Sequence, residues 1–176
     1  MAYLHSKGYA HRDLKLDNIL MDVDTKQIKI IDFGFSLKAG PDDKLSIYCG
    51  TPHYMDPDLV RKAPYNGQAA DVWACGIILY IILVGKLPFF GEFEQDLFRK
   101  IQSGKFTAIP PEIGDSKVRH LFKQILRSTS PRESRLSGFW GTRGWPTRLN
   151  IFRRIKNPVK ITTQESARLE RTSETG

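Results

Sequence analysis

Cysteine is scarce in this sequence: two residues in 176, Cys49 and Cys75. Neither sits in a CxxC pair or a Cys/His cluster, which leaves no disulfide framework and no zinc site to expect, only two reduced, buried thiols. Long apolar runs are missing too. The run at residues 72–84 (VWACGIILYIILV) has thirteen residues, short of the roughly 18 that a membrane span needs. Residues 1–8 hold no apolar stretch behind a basic one, so a secretory signal is not expected and the expected address is cytoplasmic, with nuclear as the variant. Internal repeats, low-complexity tracts and basic segments interleaved with aromatics are absent as well, which makes nucleic acid an unlikely partner.

What is present is enough apolar material for a core: 40% hydrophobic residues, with ten Phe, six Tyr and three Trp. The net charge of +8 is unevenly placed. Residues 137–176 carry eight Lys or Arg against three Glu, so +5 belongs to the tail and the body is nearly balanced. A tail so charged, with three Gly and a Pro in GFWGTRGWPTRLN, opposes a helix and reads as a divergent, disordered basic extension beyond a domain ending near residue 136.

Along the body, residues 1–7 read as the end of a helix stopped by Gly8. Two short runs, residues 19–21 and 27–31, separated by polar residues 22–26, read as a β-hairpin. Residues 35–57 are rich in Gly, Pro, Asp and Ser, an irregular segment of a length that usually carries function. Residues 72–84, apolar on all sides, predict a buried central helix capped by Asp71. Residues 94–103 and 117–127 show helical spacing in Leu97, Phe98 and Ile101 and in Val118, Leu121, Phe122 and Ile125, so both predict amphipathic helices. Tyr65, Trp73, Phe89 and Phe90 are expected in the core. The fold class is therefore mainly α with a small β-hairpin.

Two polar islands flank that hairpin: HRDLKLDN (residues 11–18) before it and DFG (residues 32–34) after it. Each alone reads as turn formers or solvated charge. A hairpin, however, brings its flanks together, so Asn18 and Asp32 can converge. One amide oxygen and one carboxylate are a plausible protein share of a magnesium site that keeps water and phosphate oxygens. Asp13 is then free to orient an attacking hydroxyl and accept its proton, and Lys15 to neutralise charge on a phosphate in transfer.

HRDLKLDN, DFG, CGTPHYMDPD and DVWACGIILY, in this order, resemble the signature set of the protein kinases. Lys15 resembles the serine/threonine branch, and YCGTPHYM followed by DVWACGIILYIILVGKLPFFG is most similar to the calcium/calmodulin-dependent and AMP-activated group. The resemblance covers about residues 1–136. It implies a kinase large (C-terminal) lobe, ATP and Mg2+ as cofactors, and protein substrates with Ser or Thr acceptors; it says nothing of oligomeric state. It further implies that Asp13 is the catalytic base, Lys15 contacts the transferred phosphate, and Asn18 and Asp32 hold magnesium. Leu20 would line the adenine pocket, and His11 and Phe33, beside Gly34, would stack in the internal spine. Asp71 would tie the catalytic loop to the central helix, and Thr51 would bond to Asp13 and Lys15. Arg12 would pair with a phosphate on the activation segment.

The sequence departs from that pattern in four places. It holds no Gly-rich phosphate-covering loop, strand Lys or helix Glu ahead of the catalytic loop, so the small lobe reads as missing. The family's Ala-Pro-Glu is Asp56-Pro57-Asp58, with Asp58 expected to pair with Arg135 as a shorter substitute. The usual phosphosite two residues before Cys49 is Ile47, with Ser46 the nearest hydroxyl. The end of the chain does not show the family's last helix. Asp17, beside the catalytic loop, could attract a basic residue of a substrate.

Overall fold

The computed structural model describes residues 1–113 and 116–128, so Arg135, Pro131 and the basic tail at 137–176 lie outside the described residues. The elements in chain order are α1 (Ala2–Ser6), β1 (Tyr9–Ala10), β2 (Ile19–Met21), β3 (Ile28–Ile30), β4 (Leu37–Lys38), α2 (Pro57–Val60), α3 (Gly67–Val84), α4 (Glu94–Ser103) and α5 (Ser116–Ile125). Helices dominate.

α3 organises the rest. Its eighteen residues are buried on nearly every side, because the sequence offers no polar stripe to face water. By length and composition the helix could cross a membrane, yet most of its surface is buried inside the protein. It starts earlier than the apolar run suggests: Asn66, not Asp71, is the N-cap, its side-chain oxygen accepting from Ala69 N at 2.8 Å. Asp71 stands inside the helix with its carboxylate aimed elsewhere. Gly85, at φ +75°, ends the helix in the left-handed region that a side chain disfavours.

Around α3 the core closes with aromatics. Trp73 and Phe89 stack at 5.7 Å, and Tyr80 meets Phe122 edge-on at 5.5 Å. Leu97 and Ile101 of α4 and Val118, Phe122 and Ile125 of α5 complete the cluster, with Phe98 and Leu121 packed at its border. Phe90 departs from expectation: it is 58% exposed, its neighbour Phe89 having taken the place beside Trp73. Cys49 and Cys75 are free thiols, half-buried rather than buried.

The hairpin is β2 paired antiparallel with β3, Ile19 opposite Ile30 and Met21 opposite Ile28. Its turn is held by the Asp22 carboxylate, which accepts from the N–H groups of Asp24 and Thr25. A second pairing, β1 with β4, was not legible in residues 35–57, since two-residue strands are too short to show alternation. That segment also carries a bridge between Leu45 and Tyr65 and a 3₁₀ turn at Pro52–Tyr54. Asp56 then caps α2 by accepting from Asp58 N and Leu59 N, with Pro57 at the first helical position.

Gly76 marks where α5 crosses α3. A Cβ there would sit 2.4 Å from Ile125 Cγ2 and 3.1 Å from Leu126 Cδ2. Gly76→Ala is therefore expected to destabilise by about 1–3 kcal/mol through overpacking, despite the higher helix propensity of Ala. Urea unfolding checks this, and a neutral or stabilising result contradicts the tight crossing.

Candidate active site

The polar island at residues 11–18 folds as an irregular loop because its apolar members have somewhere to go. Leu14 is 2% exposed and packs on Ala74 and Ile78 of α3, with Leu16 at the edge of the same cluster. That anchoring turns the remaining groups to one side. The backbone is then fixed by Asp71, 1% exposed, whose Oδ2 accepts from His11 N and whose Oδ1 accepts from Arg12 N, both at 2.8 Å. His5 Nε2 of α1 lies 2.9 Å from the same Oδ2. The loop and the end of α1 thus converge on one buried carboxylate.

Arg12 has φ +69°, a conformation that costs a non-glycine residue about 1 kcal/mol or more and persists only where contacts over-determine it. The bond to Asp71 supplies one such contact. The guanidinium supplies others: Nε donates to Phe35 O at 2.7 Å, and Nη1 reaches Ile47 O at 3.4 Å and Tyr65 Oη at 3.3 Å. His11 is fully buried, Nε2 donating to Ile31 O at 3.0 Å and Nδ1 accepting from Asp13 N at 3.4 Å. Its ring lies 5.0 Å from that of Phe33, tilted by 59°.

Three side chains meet at the mouth of the loop. Thr51 donates its hydroxyl to Asp13 Oδ1 at 2.8 Å and its N–H to the same oxygen at 3.0 Å. Lys15 Nζ donates to Thr51 Oγ1 at 3.2 Å and lies 3.6 Å from Asp13 Oδ2. Gly50 permits the approach: at φ +119° its backbone passes so close that a Cβ would be 2.9 Å from Arg12 O. A carboxylate, a hydroxyl and an ammonium in hydrogen-bonding reach can orient a hydroxyl, take its proton and place positive charge beside an anion.

Asn18 and Asp32 are brought to adjacent flanks, Ile31 N donating to Asn18 O at 2.9 Å. Asn18 is 5% exposed, and its Nδ2 donates to Asp13 O at 2.9 Å, which commits the donor end of the amide and leaves Oδ1 as an acceptor without a partner among the described residues. Asp32 sits at φ +60° with Oδ1 accepting from Gly34 N at 3.2 Å, and a Cβ on Gly34 would crowd that oxygen at 3.2 Å. One amide oxygen and one exposed carboxylate fit a hard divalent ion that keeps other oxygen ligands. No group of three or more His, Cys, Asp or Glu forms among the described residues. Leu20, expected to line an adenine pocket, is 54% exposed on β2.

The pairing expected of Asp58 with Arg135 falls partly outside the described residues. Asp58 is half-exposed and lies 3.4 Å from Arg61 of its own helix. Arg61 also donates to Gln102 O and Ser128 O, joining α2 to the end of α4. Ser46 is exposed, with no hydrogen bond among the described residues. His5 and Gln68 were missed by sequence reading, and Tyr65, expected in the core and fully buried there, was not expected to meet Arg12. Gln68 donates to His5 O and Ala39 O across the β1 and β4 layer, and no local pattern announces such long-range partners.

Burial sets the titration of the neighbours. Tyr54 is pushed up to about 12, chiefly by burial, against a backbone hydrogen bond at Leu16 and with the charges of Asp17 and Asp13 adding to the rise. Cys75 is also pushed up to about 12, by burial first and the nearby Asp71 charge second.

A protein kinase domain model matches residues 1–138. This chain belongs to the protein kinase domain family. It is similar to serine/threonine kinases in particular. It is 42% identical over 126 residues to "Probable serine/threonine-protein kinase HSL1" of Saccharomyces cerevisiae, covering 72% of this chain and 8% of that protein. It is 46% identical over 132 residues to "Mitosis inducer protein kinase cdr1" of Schizosaccharomyces pombe, covering 75% and 22%. It is 34% identical over 174 residues to "CBL-interacting serine/threonine-protein kinase 14" of Arabidopsis thaliana, covering 94% and 38%. The chain therefore spans well under half the length of these relatives.

Two outcomes are expected of the kinase loop's supports. Asp71→Ala strands the buried N–H of His11, the part-buried N–H of Arg12 and the His5 ring, and should cost at least about 3 kcal/mol in chemical denaturation; a loss under about 1 kcal/mol contradicts the anchoring role. His53 has its pKa lowered from 6.5 by burial, so the folded state resists its protonation. The unfolded chain binds that proton first, so this contribution to stability is whole above pH 6.5 and is lost as pH falls below it. His53→Gln should flatten the decline in urea midpoint between about pH 7.5 and 5.5; an unchanged slope contradicts the assignment.

Proposed function

We propose that this chain is the large-lobe part of an ATP-dependent serine/threonine protein kinase, resembling the calcium/calmodulin-dependent and AMP-activated group, with its partial kinase domain at residues 1–136. The observation that carries the reading is the triangle of Asp13, Thr51 and Lys15, closed by contacts of 2.8, 3.2 and 3.6 Å. Thr51 accepts from Lys15 and donates to Asp13, so the three charges and dipoles are already aligned for an incoming serine or threonine hydroxyl. Asp13 takes the proton of that hydroxyl as it attacks phosphorus, and Lys15 places its charge beside the transferring phosphoryl group. Asn18 Oδ1 and the Asp32 carboxylate would hold Mg2+, which when bound neutralises phosphate charge. Exposed Asp17 favours a basic residue near the acceptor. The address proposed for this activity is cytoplasmic, with nuclear as the variant.

A second reading is a non-catalytic kinase-like module that docks substrates or regulators around Thr51 and α4. It is favoured by Phe90 and Phe93, which stand 58% and 68% exposed beside α4.

The test is magnesium-ATP-dependent phosphorylation of a basic serine peptide by these residues joined to a small lobe bearing a Gly-rich loop, a strand Lys and a helix Glu. Turnover that falls at least about 100-fold in Asp13→Asn is expected. The 176-residue chain alone is expected to show none. Turnover in the joined protein that is indifferent to Asp13→Asn, or absent altogether, overturns the catalytic reading in favour of the module.

A further inference from the structure

Ile47 stands where a phosphorylated residue would be expected to meet Arg12, and its side chain has no oxygen to phosphorylate. Arg12 nevertheless is not left waiting for an anion. Its Nη1 donates to Ile47 O at 3.4 Å and to Tyr65 Oη at 3.3 Å, while Tyr65 Oη itself donates to Ile47 O at 3.0 Å. The Ile47 carbonyl is thus held by two donors, and the guanidinium by two neutral oxygens of this neighbourhood besides Phe35 O at 2.7 Å. Tyr65 is fully buried, and its backbone pairs with Leu45 in both directions, Leu45 N to Tyr65 O at 2.8 Å and Tyr65 N to Leu45 O at 3.1 Å. Tyr48 adds a ring contact to Tyr65 at 6.2 Å and a hydroxyl bond to Lys62 O at 2.7 Å. Residues 45–48 are therefore pinned to one tyrosine by backbone, hydroxyl and ring together.

We propose that Tyr65 is a positioning residue that seats the activation segment without phosphorylation: its hydroxyl and the Ile47 carbonyl occupy the Arg12 guanidinium where a phosphate otherwise would. The inference rests on reading residues 32–58 as an activation segment, and it names how that segment is regulated. The consequence reaches the site through a short path. Ile47 is four residues from Thr51, and between them Gly50 passes against Arg12 O, so a segment released at Ile47 loses one of the two ends that hold Thr51 against Asp13. Charge on the segment is not needed to seat it, because Nε and Nη1 of the cation already donate to three neutral oxygens there.

The test is amide hydrogen exchange on the full 176-residue chain, unmodified, reading Leu45 N–H and Thr51 N–H against the amides of α3. In the parent both amides are expected to be protected. Tyr65→Phe, which keeps the ring, should speed their exchange about tenfold, the change a lost buried hydrogen bond carries, with α3 unaffected. Ile47→Glu should add no protection to the parent and should restore most of it in Tyr65→Phe, because a carboxylate near Arg12 replaces the missing hydroxyl. A tyrosine that merely filled space would not be rescued by charge at position 47. Unprotected Leu45 and Thr51 in the parent, a gain from Ile47→Glu alone, no effect of Tyr65→Phe, or no rescue in the double variant each overturns the proposal. None of these readings measures phosphoryl transfer, so a catalytically silent chain leaves them intact.

Discussion

A carboxylate buried to 1% exposure in the middle of an apolar helix is costly unless its lone pairs are filled, and here the loop backbone and the His5 ring fill them. Asp71 takes the N–H groups of His11 and Arg12 at 2.8 Å each and faces His5 at 2.9 Å. The dependence runs both ways. The loop needs Asp71 because consecutive N–H groups at a positive-φ residue have no strand or helix to bond to. Asp71 needs the loop because nothing in α3 can satisfy it.

From that anchor the rest of the site is reached in short steps. His11 carries the fixed loop to Ile31 and Phe33, on either side of Asp32, and Ile31 N in turn donates to Asn18 O. Arg12 carries it to residues 35 and 47, and Asp13 to Thr51. Segments far apart in the chain are thus collected by three successive residues, 11 to 13, each bonding in a different direction. Leu14 closes the set by packing on α3, so the loop is held at one end by hydrogen bonds and at the other by burial.

Much of this could be read before any coordinates, and the reason differs by element. The charge-free run at residues 72–84 reveals a buried helix because no surface helix can lack a polar face. The hairpin and the apolar positions of α4 and α5 were visible because strands and amphipathic helices have periods that short windows detect. Asn66, just before a helical run, carries the cap, while the expected cap Asp71 answers to the loop instead. Strands of two residues have no period to read. Phe89 and Phe90 are the same residue type side by side, and only the position of Trp73 decides which is buried. The partners of Arg12 were not legible either, since two are backbone carbonyls and the third, Tyr65, lies 53 residues away.

The arrangement stands on the buried carboxylate of α3 fixing the backbone of the loop that carries Asp13. The most direct measurement is amide hydrogen exchange at His11 and Arg12 themselves. If Asp71 holds them, both exchange as slowly as the interior amides of α3, although neither lies in a helix or strand. Exchange at the rate of an open loop would contradict the account, because the three residues that gather the site would then have no fixed frame.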